Sequence, residues 1–438
     1  MYVDKLYVPQ QQVAPSVGAP EFLSHRIDRF YNERVKESWG GTHILRGRTP
    51  ETNAIVLQSN DYLSLAAHPE IINAQAGTLL REGNGAVMSA AFLMNRDSPY
   101  RALEKRLARF LGAEDTILCQ SGYAANTGLL QSIADASTPV YLDMFAHMSL
   151  WEGARSAGAN AIAFHHNNPE HLARQIRRHG PGVVAVDSVY STNGSVCPLS
   201  DIVTVGTEHG CIIVVDESHS LGTHGIQGCG MVASMGLSPF VHFRTASLAK
   251  AFAGRGGLIT CSARFLDYFM CESRPAIFSS TLLPHEVAGF DATLTVIERD
   301  DWRRRKLHNN ATYLRENLSD MGYNVDDSES QIIALESGLE PQTKILRDAL
   351  ESRGIFGSVF CAAATPKNRS LVRFSVQCGF SPSDLDKILA VCFDIRDEVS
   401  MDRWASTRRK KQQTTRATTI QYRTAQREQS TALVTSRM

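Results

Sequence analysis

Two rhythms of hydrophobic and polar positions divide this chain. Between residues 116 and 243, short and largely apolar runs recur at Thr116–Cys119, Val140–Leu142, Ala161–Phe164, Val183–Val186, Cys211–Val215 and Val241–Phe243. None alternates polar with apolar, and helical or loop stretches of crossover length separate them. Strands buried on both faces have this pattern, so it predicts a mainly parallel sheet covered by helices, an α/β fold. Helical spacing appears on either side. Phe22, Ile27, Phe30 and Val35 predict an amphipathic helix over 21–37, and Pro69 suits the first position of another. Leu103, Leu107 and Phe110 share one face of a helix from about Pro99 to Leu111, with Asp97 or Ser98 as cap and Gly112 as stop. Ile55–Leu57 reads as a short strand.

From Pro284 the pattern changes to a long helical run through Asp320. Strands near Ile332–Leu335 and Leu371–Val376 follow, with helices near Gln342–Arg353 and Pro382–Asp397. These predict a smaller α+β domain. The expected organisation is a flexible arm over 1–20, a segment of the small domain over 21–58, a large domain over 59–283, the remaining small domain over 284–400, and a basic disordered tail over 401–438.

Composition narrows the class. Hydrophobic residues make up 43% and charged residues 21%, and the formal net charge is zero, so no global field draws in nucleic acid or an anionic membrane. The first 20 residues lack a signal-peptide pattern and no apolar run reaches spanning length, so no membrane insertion and a cytoplasmic location are expected. The nine cysteines contain no Cys-x-x-Cys pair, which argues for reduced core thiols and against a metal site. The tail carries Arg408-Arg-Lys-Lys411 and only two acids, and reads as a solvated extension rather than a nucleic-acid arm.

In a parallel sheet ligands collect beyond the carboxyl ends of the strands, and the unusual residues of this chain lie there. Lys250 follows the Val241–Phe243 run among Ala, Ser and Gly, a setting that favours a neutral, nucleophilic amine over a solvated ammonium. Ser121-Gly-Tyr-Ala-Ala-Asn126 opens a helix after a strand. It reads as a phosphate seat on free amides or as a plain strand-to-helix turn. Asp143 and His147 close the next strand, and an imidazole there can stack on a planar ring or fill the core. Asp187 and Asp216 follow buried strands directly, where a carboxylate needs a cationic partner. A phosphate cradle, a stacking His147, an acid at Asp216, His219 and an amine at Lys250 together match the demands of pyridoxal phosphate.

Residues 59 to 395 resemble the α-oxoamine synthase family of fold-type I pyridoxal phosphate enzymes, which join an amino acid to an acyl-CoA. The resemblance rests on Asn60-Asp-Tyr-Leu63, Leu103-Glu-Lys-Arg-Leu-Ala-Arg-Phe-Leu-Gly112, Ser121-Gly-Tyr-Ala-Ala-Asn126 and His147-Met-Ser-Leu150. Asp216-Glu-Ser-His219, Ser247-Leu-Ala-Lys250, Phe278-Ser-Ser280 and Arg373-Phe-Ser375 complete it. It implies a large, mainly parallel-sheet domain that binds the cofactor, a smaller α+β domain, and an obligate homodimer with shared sites. By resemblance Lys250 is the Schiff-base lysine, Asp216 faces the ring nitrogen, His219 and Ser191 lie near the phenolic oxygen, and His147 stacks on the ring. Ser121, Gly122, Tyr123 and Ser247 hold the phosphate, helped by Ser279 and Ser280 of a neighbouring subunit, and Asn60 with Arg373 binds the amino-acid carboxylate.

Longer stretches are similar to the branch of the family that makes α-aminoketone precursors of quorum-sensing signals. These are Asp143 to Arg155, Val186 to Thr192, Val215 to Gly225, Ala276 to Pro284 and Gly354 to Phe360. That likeness implies a medium-chain, decanoyl-CoA-like donor and either S-adenosylmethionine or 2-aminobutyrate as amino donor, which spacing and composition do not separate. The alternatives are another synthase of the family, of the 8-amino-7-oxononanoate, 2-amino-3-ketobutyrate or serine palmitoyl type, or a non-catalytic partner subunit. Two departures from the family pattern argue against assuming a glycine or alanine substrate: the run Ala86 to Met94 where glycines are usual, and Arg255 among the glycines after Lys250.

Overall fold

The computed structural model describes residues 18–93, 97–362, 364–407 and 409. Seven strands form the central sheet in the order Asp115–Cys119, Gly257–Cys261, Phe243–Ser247, Ile212–Asp216, Val183–Asp187, Pro139–Asp143 and Asn160–Phe164. All neighbours run parallel except Gly257–Cys261, which is antiparallel to both strands beside it. Separate apolar clusters pack against the two faces of the sheet, which is why its strands carry no polar alternation.

Two elements differ from the pattern-based expectation. The strand expected at Val241–Phe243 runs instead over Phe243–Ser247, although Arg244 and Thr245 are polar and buried. Both are satisfied: Arg244 Nε donates to Glu217 at 2.5 Å and Thr245 Oγ1 donates to Asn126 at 2.6 Å. Buried polar groups with partners are tolerated in a central strand, and periodicity does not reveal them. The helical run 284–320 is two helices, Pro284–Arg299 and Asp301–Asp320. They break at Asp300, whose carboxylate accepts from Arg299 and Arg303.

A second sheet has three antiparallel strands in the order Ser358–Phe360, Ser370–Ser375 and Ile332–Gly338. Ile55–Val56 pairs in parallel with Ile355–Phe356 and carries the N-terminal segment onto this unit. Upstream, Glu21–Arg29 is α-helical and Phe30–Ser38 π-helical. Phe22 stays 74% exposed, while Val35, Trp39 and Ile44 form a small cluster. Arg34 and Trp39 donate to Glu340, each at 2.7 Å, and tie that cluster to the Glu340–Glu351 helix.

The tail expected to be disordered from Met401 is ordered at its start. Met401, Trp404, Ser406 and Thr407 are buried, the Trp404 ring meets Tyr323 at 5.9 Å, and Arg409 pairs with Glu336 at 2.5 Å. Composition averaged over the tail hides this one apolar anchor. The rest of the tail, Arg408 included, and residues 1–17 of the expected N-terminal arm lie outside the described residues. Among the described residues no helix is long and apolar enough to cross a membrane, and no cluster of His, Cys, Asp and Glu could hold a metal.

Candidate active site

A cavity of about 700 Å³ opens at the carboxyl ends of the central strands and is closed on its far side by the three-stranded sheet. Its lining includes Asn60, Ser121, Gly122, Tyr123, His147, Ser191, Asp216, His219, Ser247, Lys250 and Arg373. Residues more than 300 positions apart in the chain therefore meet in one space.

The acid at the floor is Asp216, the last residue of its strand and 3% exposed. Its Oδ1 accepts from the Ser218 amide at 2.8 Å and its Oδ2 from Asn126 Nδ2 at 2.6 Å. Asn126 is itself fixed: its Nδ2 also donates to Ser149 at 2.9 Å and its Oδ1 accepts from Thr245. Ser149 Oγ lies 2.7 Å from His147 Nδ1, so one buried network orients both the acid and the imidazole. Neither Asn126 nor Ser149 carries a role in the sequence reading. Each lies in a quoted motif, but its partner is distant in the chain.

Asp187 lies beside Asp216 in register and accepts from the His147 amide at 2.9 Å. Burial first, and the Asp216 charge second, push its carboxyl well above the ordinary range, which favours its protonated form. The neighbouring Glu217 points away from the cavity and is neutralised by Arg244. Asp143, also at a strand end, turns away too: it bonds His166 Nδ1 and the amides of Phe145 and Asn167, each at 2.8 Å.

Lys250 is half-buried, and burial followed by the Arg373 charge lowers its pKa, against the pull of Asp216. Amine and acid thus share one cavity and influence each other electrostatically. His147 is reached by solvent through the cavity but walled by protein. Lost hydration depresses its pKa, Asp216 opposes the shift and Lys250 adds to it. His219 is buried and driven well below its usual value by desolvation, then by Lys250, Arg373 and His147, so its ring is neutral. Its Nδ1 lies 2.7 Å from the hydroxyl of Tyr62, a residue the sequence reading leaves without a role.

Across the cavity Arg373, 5% exposed on the central strand of the small sheet, donates to Ser191 O at 2.8 Å and to Asn60 Oδ1 at 3.0 Å. Its buried Nε has no partner among the described residues. A guanidinium that lines a cavity is suited to a carboxylate.

The anion end is built by close backbone approach. Ser121 caps the Gly122–Ile133 helix by accepting from the Ala124 amide at 3.0 Å, and helix geometry gives the amides of Gly122 and Tyr123 no intrahelical acceptor. A Cβ on Gly122 would lie 2.6 Å from Ser247 Cβ and 2.7 Å from Ser247 Cα, so only glycine lets the helix start meet the strand that leads to Lys250. Ser279 and Ser280 are exposed and do not line this cavity, and Ser279 Oγ is bonded to Pro275 O. Within one chain, they are the two expected site residues that the fold leaves apart from the rest.

These residues fit pyridoxal phosphate: an amide seat for a phosphate, a hydrogen-bonded buried acid for a ring nitrogen, imidazoles lining the same cavity, and a lysine of lowered basicity. Comparison with known proteins agrees. The family model "Aminotransferase class I and II" matches residues 52–391. The chain is 46% identical to the CAI-1 autoinducer synthase of Vibrio campbellii over 373 residues, 85% of this chain and 94% of that protein. It is 29% identical to the 8-amino-7-oxononanoate synthase of Trichlorobacter lovleyi over 87% of this chain and 99% of that one. A Sphingomonas wittichii serine palmitoyltransferase structure superposes with a TM-score of 0.77 at 25% identity, covering 87% and 98% of the two chains. With its matched core and its strand-end constellation, the chain belongs to the α-oxoamine synthase group of the pyridoxal-phosphate-dependent class I and II aminotransferase family.

Proposed function

We propose that this enzyme condenses a medium-chain acyl-CoA with an amino acid to give an α-aminoketone precursor of a quorum-sensing autoinducer. The observation that carries this reading is the convergence of Lys250, Asp216, His147, His219 and Arg373 on one cavity, in a chain 46% identical to a CAI-1 autoinducer synthase. Apolar Met144, Met148, Trp151 and Phe360 line the same cavity, as an alkyl chain of the decanoyl-CoA class requires.

When bound, pyridoxal phosphate supplies an aldehyde that captures an amine and a ring that withdraws electrons from the adjoining carbon. Asp216, oriented by the Ser218 amide and Asn126, would face the ring nitrogen and favour a proton there. His147 would pack on the ring face, His219 and Ser191 would lie at its phenolic oxygen, and the amides of Gly122 and Tyr123 with Ser121 and Ser247 would hold the phosphate. Lys250 would hold the aldehyde, and its Nζ would be the base that takes the α proton of the amino acid. Burial and the Arg373 charge lower its basicity, which favours the unprotonated amine that this role needs. Arg373 and Asn60 fix the substrate carboxylate, which fixes the face from which Nζ works. Ser279 and Ser280 of the partner subunit would reach the phosphate in a homodimer. The amino donor is S-adenosylmethionine or 2-aminobutyrate.

Mass spectrometry of the product from decanoyl-CoA with each amino donor tests the reading, together with a panel of other acyl-CoAs and amino acids. A long-chain aminoketone supports it. Turnover only with glycine, alanine or serine, or no turnover by cofactor-loaded protein with any pair, refutes it. Lys250→Ala should abolish the visible absorption band of the lysine-linked cofactor, and an unchanged band would remove Lys250 from its role.

A further inference from the structure

We propose that Tyr62 is a positioning residue whose hydroxyl turns between His219 and Asn60, and so reports to the cofactor side of the cavity whether Arg373 holds a carboxylate. The inference rests on the function proposed above and adds a coupling between its two halves.

Tyr62 is 0% exposed, and its hydroxyl lies 2.7 Å from His219 Nδ1 and 3.1 Å from Asn60 Oδ1. Burial raises the phenol's pKa far above the working range, so it keeps its single proton and can serve one acceptor at a time. Gln331 and Ser375 also approach the phenol, and neither is a second titrating group. The Asn60 oxygen is oversubscribed. Arg373 Nη2 reaches it at 3.0 Å and Ser375 Oγ at 3.3 Å, which fills both lone pairs before Tyr62 is counted. In the resting site the phenolic proton therefore points to His219 Nδ1, the shorter contact. A neutral imidazole that accepts at Nδ1 carries its proton on Nε2 and donates into the cavity. The charged or titratable groups around that ring are Lys250, Arg373 and His147, which keep it neutral, and Tyr62 itself.

A carboxylate bound at Arg373 competes for the guanidinium that now serves Asn60. Freeing one lone pair lets the Tyr62 hydroxyl rotate to Asn60, with no covalent bond broken and no proton exchanged. His219 Nδ1 then loses its donor, and the opposite N–H becomes a weaker donor to the phenolic oxygen of the cofactor. Substrate binding in this way makes the cofactor more basic.

The test is a pH titration of the visible absorption of bound pyridoxal phosphate, with and without saturating butyrate, a carboxylate that lacks an amine. Wild-type protein should show an upward shift of the midpoint with butyrate, and Tyr62→Phe a shift smaller by at least about 0.3 pH unit, because only direct charge remains. Without butyrate, Tyr62→Phe should already titrate above wild type. Ser375→Ala, which frees a lone pair on Asn60 and leaves Tyr62 in place, should also raise the midpoint without butyrate. Equal butyrate shifts in wild type and Tyr62→Phe, or an unmoved midpoint in Ser375→Ala, overturn the coupling. Failure of butyrate to bind the wild type, or equal binding by Arg373→Ala, would instead overturn the carboxylate seat on which the coupling depends.

Discussion

Asn126 offers the sharpest test of how the site is held. Its side chain makes three buried hydrogen bonds, to Asp216, Ser149 and Thr245, between 2.6 and 2.9 Å. A hydrogen bond to a charged group contributes about 1.5–3 kcal/mol and a neutral one about 0.5–1.5 kcal/mol, and groups left unpaired in the interior cost more. Asn126→Ala should therefore destabilise cofactor-free protein by about 3–5 kcal/mol, a large share of the roughly 5–15 kcal/mol of a folded domain. Asn126→Asp sets a second carboxyl against Asp216. At about 4 Å and an effective dielectric of 20, two negative charges repel by roughly 4 kcal/mol, so the pair retains a proton. A carboxyl whose folded pKa is raised binds that proton in the native state and not in the unfolded one. Its stabilisation is present at low pH and is lost as pH rises from the unfolded value near 4 toward the folded one. Urea unfolding of wild type and both variants at pH 5 and pH 8, followed by circular dichroism, measures this. An alanine variant within about 0.5 kcal/mol of wild type, or an aspartate variant no more pH-dependent than wild type, would refute the account.

Three other outcomes are expected. Gly122→Ala should weaken pyridoxal phosphate binding at least tenfold in a spectroscopic titration and cost about 1–3 kcal/mol, since the new Cβ meets Ser247 backbone at 2.7 Å. Gly77→Ala, inside the Pro69–Glu82 helix with only the tip of Arg81 at 3.4 Å, should stabilise the protein by about 0.5–1 kcal/mol with no change in cofactor affinity. Burial and His308 push the pKa of His224 down to about 3. The unfolded chain binds its proton near pH 6.5 and the native one does not, so stability falls as pH drops below 6.5, by up to about 1.4 kcal/mol per unit. His224→Gln should flatten that acid limb in denaturant titrations, and an unaltered limb would exclude His224 as its source.

What the sequence determined by itself was local. Apolar runs without alternation specified buried strands, and residues placed just after them, Ser121, His147, Asp216 and Lys250, had to fall at one edge of the sheet. The motifs named the cofactor because pyridoxal phosphate needs those functional groups and they occur in family order. Tertiary structure alone decided which polar groups found partners. Asp216, Glu217 and Asp143 look alike as acids after strands, yet Asp216 meets Asn126 above a cavity, Glu217 meets Arg244 in the core and Asp143 meets His166. Arg244 and Thr245 made a strand where periodicity placed its end, because their partners came from 15 to 133 residues away. Trp404 packed the first turn of a polar tail against Tyr323 while Ser406 bonded Glu336 of the small sheet, and Tyr62 reached His219 across 157 positions. Burial of a polar or charged group is decided by its partner, and a partner distant in the chain leaves no mark on local pattern.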